Sequence, residues 1–335
     1  MGNRLYRTPL DNQPASDPGE PDLSSTRAFL WWLFTHQSRV ILVGTFFGTI
    51  GLLCAALTPG LLGRGIQAIA DQDHSKIQFW ISMLLLLGVV QATASLLRHQ
   101  RAVASYLTCI SRLQALVSRK AVDLGADLPR LISTGEISAV NSNDIEKLAG
   151  AFDIIPRLVG AVVSFVVVSY ILISTTTTVG LMVVIAVPLL GLGIAPIIKP
   201  LQKRESVLRE KLSHASDIAA DIVSGLRILR GIGGEESFLM RFRAASQEVR
   251  VAAVRAARVR GLLDGLQILL PGFLILGVIW AGGNLVIDEK MKVGELLAFY
   301  GYSAYLGMPL QIMTESSQRI TSGIVATRRV LSLLC

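Results

Sequence analysis

Five stretches of this 335-residue chain contain no Asp, Glu, Lys or Arg: residues 40–63, 77–97, 158–198, 265–287 and 296–314. A helix of about 20 apolar residues crosses the hydrocarbon core of a bilayer. The first, second, fourth and fifth runs each match one such span in length. The third is long enough for two spans, and the four threonines at 175–178 offer a turn between them. The expected fold is therefore an all-α integral membrane protein with six transmembrane helices, at about 40–63, 77–97, 158–175, 178–198, 265–287 and 296–314. The runs do not alternate polar and apolar residues, which argues against a β-barrel. Five such runs in one chain also argue against buried helices of a soluble fold. Composition agrees: 17% of residues are charged, against roughly a quarter in a soluble domain.

The basic residues set the expected orientation. Of 32 Lys and Arg, 28 fall in residues 1–39, 98–157, 199–260 and 315–335, all on one side of the six-span topology. The positive-inside rule makes that side cytoplasmic, with both termini inside a cell membrane. Topology then accounts for the net charge of +8, and nucleic acid is not implied as a partner. Residues 1–24 hold four prolines and few apolar side chains, the composition of a disordered tail. Residues 25–36, with Trp31 and Trp32, suit an amphipathic elbow helix on the inner membrane surface. The transmembrane domain is thus expected over 25–335.

The cytoplasmic segments have helical character. From residue 98 to 128 apolar side chains recur at Val103, Leu107, Ile110, Leu113, Leu116 and Val117, so span two is expected to continue as a helix far beyond the bilayer. Residues 199–223 and 235–260 form a second helical pair, broken at Gly231–Gly234. The result is two long cytoplasmic hairpins with apolar stripes too narrow for an independent core.

The hairpin tips carry sequence patterns. The first reads Gly135-Glu136-Ile137, then Asn143-Asp144. The second reads Asp221 to Arg230 with Gly225, Arg227 and Arg230, then Gly231 to Glu235. Val293-Gly294-Glu295-Leu296 precedes the sixth span. In this order and spacing the chain resembles the transmembrane domain of ABC exporters, over about residues 25–335. Asp221, where that family usually has Glu, is a mild departure. The resemblance implies pairing with a second transmembrane domain, as homodimer or heterodimer. It also implies coupling helices at 133–143 and 224–233 that dock on nucleotide-binding domains. Gly135, Glu136, Ile137, Asn143, Asp144, Gly225, Arg227, Arg230 and Glu235 would make that contact. ATP and magnesium are implied for the nucleotide-binding partner.

No Gly-x-x-x-x-Gly-Lys-Ser/Thr sequence occurs, so no phosphate-cradling loop is visible in this chain. The ATPase is expected in a separate subunit or a downstream domain. No catalytic residues and no metal ligands emerge: the four histidines are scattered, and Cys54, Cys109 and Cys335 lack metal-ligand spacing. Gln91, Gln267, Asn284, Tyr302 and Gln311 are candidate pathway-lining residues for an unknown cargo, a small organic molecule, lipid or peptide. Two other readings stand beside the exporter: a secondary carrier driven by an ion gradient, and a non-transporting membrane scaffold. The absence of ionisable residues from the runs disfavours the carrier.

Overall fold

The computed structural model describes residues 18–125 and 143–334. Among the described residues all regular structure is helical, in eight helices: α1 (Thr26–Ala70), α2 (His74–Leu124), α3 (Ile145–Asp153), α4 (Ile155–Thr175), α5 (Thr177–Ile232), α6 (Glu235–Ile287), α7 (Val293–Tyr305) and α8 (Gly307–Leu334). The absence of strands among them and the apolar helices establish the all-α membrane fold.

The ends of the helices follow from local chemistry. Ser25 caps α1, its hydroxyl accepting from the Ala28 amide at 3.1 Å. α1 then runs unbroken for 45 residues. The expected elbow at 25–36 is the first part of this continuous helix. No proline or glycine interrupts residues 26–43, and Phe29 and Leu33 are buried in a core with α2, α3 and α8. Of the expected tail, residues 1–17 lie outside the described residues. Just beyond them, the Gly19 carbonyl accepts from Arg119 at 2.9 Å, and Leu23 packs against the same core. α4 and α5 meet at a single extended residue, Thr176. A side chain on Gly180 would strike the Leu172 carbonyl, so glycine permits this tight reversal.

Asp73 caps α2. Its carboxylate accepts from the Lys76 amide at 3.1 Å and the Ser75 hydroxyl at 2.7 Å, and pairs with the Lys76 ammonium at 2.8 Å. The Lys76 side chain first, then Ser75 and the Lys76 amide, hold this carboxyl far below the usual carboxylate range. A depressed pKa means the capping stabilisation is present above the unfolded value, about 3.9, and is lost as pH falls through the folded value. Asp73→Ala is expected to speed amide hydrogen exchange severalfold in the first turn of α2 at pH 7. Asp73→Asn should retain most of the protection, because the amide oxygen still caps. Equal protection in wild type and Asp73→Ala at pH 7 would refute the cap.

α2, α5 and α6 have 51, 56 and 53 residues, or about 77, 84 and 80 Å at 1.5 Å per residue. A bilayer core is about 30 Å thick, so each helix extends far beyond it. α2 ends where Gly125 takes a positive φ of 49°. Among the described residues, four helical segments are long and apolar enough to cross a membrane: Thr26–Ala70, His74–Leu124, Ile145–Thr175 and Glu235–Ile287. A shorter apolar helix, Val179–Leu190, occupies the start of the expected fourth span. The expected sixth span is divided between α7 and α8 at Leu306. Pro309 explains the break, since it has no amide to donate back to Tyr305 and its ring crowds that carbonyl. Along α2, Leu85, Leu86 and Val89 are exposed, which suits a face solvated by lipid.

The chain divides into two compact units. Residues 1–181 and 278–335 make the first, and Met182–Gly277 the second. In the first, α1 packs along α2, α4 and α7, and α8 packs on α3 and α4. The second is an antiparallel pair of helices, α5 and α6, tied by Lys211–Glu248 at 2.8 Å and Arg260–Glu205 at 3.5 Å.

Candidate functional site

Three places combine the residue types that a membrane pathway or a force-receiving contact requires. The first is the start of α3. Gly135, Glu136 and Ile137 lie outside the described residues, but Asn143 and Asp144 are described. Asp144 is only 3% exposed, yet it makes no capping hydrogen bond. Its carboxylate instead pairs with Arg329 of α8 at 3.7 Å and Lys147 at 4.0 Å. The aspartate therefore ties the start of α3 to α8. Beneath it, Ile145, Leu148 and Phe152 of α3 meet Leu113 and Leu116 of α2 and Val330 of α8 in a continuous core. Cys109 is in this core, on the stretch of α2 beyond its charge-free run. Burial pushes its thiol up to about 12, so it stays protonated and unreactive at neutral pH.

The second place is the tip of the α5–α6 hairpin. The expected coupling helix at 224–233 falls on the end of α5, which continues through Gly225 to Ile232, and the chain turns at Gly233, where φ is +72°, within the expected break at 231–234. The reason is local: apolar and basic residues of adequate helix propensity fill 226–230, and no proline follows Pro200 in the helix. Gly225 is thus an interior helical residue, with nothing within 4 Å of an added Cβ. Arg227, Arg230 and Glu235 are exposed. Beside them Ile222, Val223 and Leu226 of α5 face Phe238, Leu239 and Phe242 of α6 across an open apolar cleft of about 650 Å³, with Glu235, Glu236 and Arg243 on its lining. Val223 is 76% exposed. Large apolar side chains at a loop tip, unburied by their own chain, form a patch suited to an interaction.

The third place is a cavity of about 370 Å³ in the first unit, between α1, α2, α4 and α8. It brings together two of the five candidate pathway residues, Gln91 and Gln311, with Ser95, Arg98, Arg157 and Glu315. The other three are elsewhere. Tyr302 is buried in a different cavity, its hydroxyl against Gly60. Gln267 is exposed in the second unit, and Asn284 is exposed near the end of α6. The two arginines were not singled out from sequence. Their signal was position: Arg98 is the first charge after the second run, and Arg157 the last before the third.

These features define a polytopic α-helical membrane protein whose helices outrun the bilayer and end in unpaired apolar surface. The profile described as ABC transporter transmembrane region matches residues 41–310, and the chain belongs to that family. Its relatives include the mitochondrial potassium channel ATP-binding subunit of Mus musculus, 23% identical over 99% of this chain and 48% of that protein. A multidrug efflux ATP-binding/permease protein of Mycobacterium bovis is 23% identical over 92% of this chain and 26% of its own length. An ATP-dependent lipid A-core flippase of Chromohalobacter salexigens is 25% identical over 50% of this chain and 29% of its own. The chain spans about half or less of the length of these relatives. Transmembrane domains of this family work with nucleotide-binding domains.

Proposed function

We propose that this chain is the membrane part of an ATP-driven exporter that moves a small organic molecule, lipid or peptide. The observation that carries the reading is helix length. α5 and α6, at 56 and 53 residues, join charge-free runs to an exposed apolar tip. Stiff helices of that length convert a push at the tip into a rigid-body shift tens of ångströms away. In this reading the chain crosses a cell membrane six times with both termini in the cytoplasm. The fourth span starts in Val179–Leu190 and the sixth is formed by α7 and the first turns of α8. The chain pairs with a second transmembrane domain, and ATP and magnesium bind to the nucleotide-binding partner.

The two tips receive the force. Gly135, Glu136, Ile137, Asn143 and Asp144 belong to the first. Gly225, Arg227, Arg230 and Glu235 belong to the second, where the basic side chains and Glu235 flank the apolar cleft and orient the docked surface. The test is reconstitution with the nucleotide-binding partner in proteoliposomes. Replacing residues 224–235 by a flexible Gly-Ser linker should leave the partner able to hydrolyse ATP but remove cargo-stimulated turnover, lowering transport by at least about tenfold. Transport and stimulation at wild-type levels would refute force entry at this tip. Cysteine labelling that placed residue 120 outside the cell would refute the topology.

A further inference from the structure

The cavity between α1, α2, α4 and α8 has an uneven charge balance. Two guanidinium groups, Arg98 and Arg157, line it with one carboxylate, Glu315. Arg319 of α8, outside the lining, engages that carboxylate at 2.7 Å and Asp153 of α3 at 3.7 Å. Among the described residues, neither Arg98 nor Arg157 has a carboxylate within 4.0 Å, although both line the cavity. Arg98 is not a loose surface side chain. Its stem lies over Gly48 of α1, where an added Cβ would be 3.1 Å from its Cδ. The glycine makes the room that lets this arginine lie in the cavity wall.

The cavity also sits across a boundary. Gln91 and Gln311 are inside charge-free runs, while Arg98, Arg157 and Glu315 are the charges that border three of those runs. Its apolar wall, with Phe47, Leu52 and Met308, is on the lipid side of that border. A molecule filling this space would place an anionic group between the guanidiniums at the rim and an apolar body toward the hydrocarbon. Guanidinium groups bind phosphate and carboxylate in a two-pronged fashion. Charges at a partly enclosed low-dielectric site also act more strongly than in water.

We propose that this cavity binds the anionic headgroup of an amphipathic molecule, with Arg98 and Arg157 as its charge partners and Gln91, Ser95 and Gln311 as polar contacts. The inference rests on the transport reading and narrows its cargo to anionic amphiphiles. The same chemistry is offered by an acidic phospholipid of the membrane, so the test separates the two sources.

The full chain is placed in nanodiscs of phosphatidylcholine, without ATP or a nucleotide-binding partner, and binding of radiolabelled dodecyl phosphate is measured against empty nanodiscs. Saturable binding is expected, at least about tenfold tighter than that of dodecyltrimethylammonium. Arg98→Gln and Arg157→Gln should each weaken it about tenfold. Gln311→Glu leaves both arginines in place and adds a carboxylate to the cavity. It should weaken dodecyl phosphate and strengthen dodecyltrimethylammonium, which keeps the test decisive if an arginine variant does not fold. Displacement by phosphatidylglycerol added to the nanodisc assigns the site to a membrane lipid, and retention of the probe assigns it to a non-lipid amphiphile. Equal affinity for the two amphiphiles, or unchanged binding in both arginine variants, overturns the proposal. So does full displacement by millimolar inorganic phosphate. Because no ATPase is present, a failure here is distinct from a failure of the transport reading, which is decided by coupled turnover in proteoliposomes.

Discussion

Gly63→Leu or Gly294→Leu is expected to destabilise the first unit strongly. Gly63 of α1 and Gly294 of α7 are packed backbone to backbone. An added Cβ on either would collide with the other's carbonyl oxygen, and on Gly63 it would also meet the Ala298 Cβ at 2.9 Å. The same crossing is fixed by a hydrogen bond from the Gly294 amide to the Gln67 side chain at 3.1 Å. Further along the same pair of helices, a Cβ on Gly301 would meet Pro59 at 2.7 Å. Helices in lipid associate through such close packing of small residues, because apolar burial offers little advantage over contact with lipid chains. Backbone cannot yield as a flexible side chain does. The cost is therefore expected above the usual overpacking range, about 3 kcal/mol or more. The control is Gly88→Leu, where nothing is within 4 Å of an added Cβ. It should be neutral or slightly stabilising, because glycine costs a helix interior up to about 1 kcal/mol. Unfolding of the purified variants by SDS titration checks this, and a Gly63→Leu protein as stable as Gly88→Leu would refute the crossing.

Arg329→Ala is expected to destabilise the α3–α8 contact more than Lys147→Ala. The Asp144 side chain is only 5% exposed, whereas the Arg329 side chain is 64% exposed. Losing Arg329 leaves a carboxylate buried with Lys147, at 4.0 Å, as its remaining charge partner. Leaving a buried charged group underserved costs about 1–3 kcal/mol. Exposure of the arginine head screens part of the interaction, so the lower half of that range is expected here. Lys147→Ala should cost less than about 1 kcal/mol. With Asp144→Asn as background the carboxylate is gone, and Arg329→Ala should then cost little. A double-mutant cycle isolates the pair. Additive losses would show that Asp144 and Arg329 do not act together. If the transport reading holds, the same variants should alter transport, because Asp144 belongs to the first of the two tips that receive force in that reading.

How much was legible in advance follows from the kind of signal each feature leaves. The long second helix was readable because an apolar stripe at helical spacing runs on from residue 98 with no proline before Pro129. Even so, the stripe was only half right. Leu113, Leu116 and Val117 are in the core, but Leu107 is 45% exposed. The buried line before Leu113 is made by Ala102, Ser105 and Cys109, small residues that let α1 come close. Size, rather than hydropathy, selected that face. At 25–36 the tryptophans suggest a membrane surface, but that Phe29 and Leu33 enter a core shared with three other helices left no linear signal. Asp144 takes one of its partners, Arg329, from the far end of the chain, a pairing that no linear pattern reveals.

By itself, the sequence determined that the protein is helical and embedded in lipid, because charge-free runs long enough to cross a bilayer have few other stable environments. It also pointed to the family, through the order of short motifs between those runs. The tertiary structure alone decided which polar residues share a cavity, which carboxylates are already engaged, and where two helices can touch. Those outcomes depend on the rotation and approach of helices far apart in the chain. Hydropathy constrains neither, whereas the contact of one glycine with another settles both.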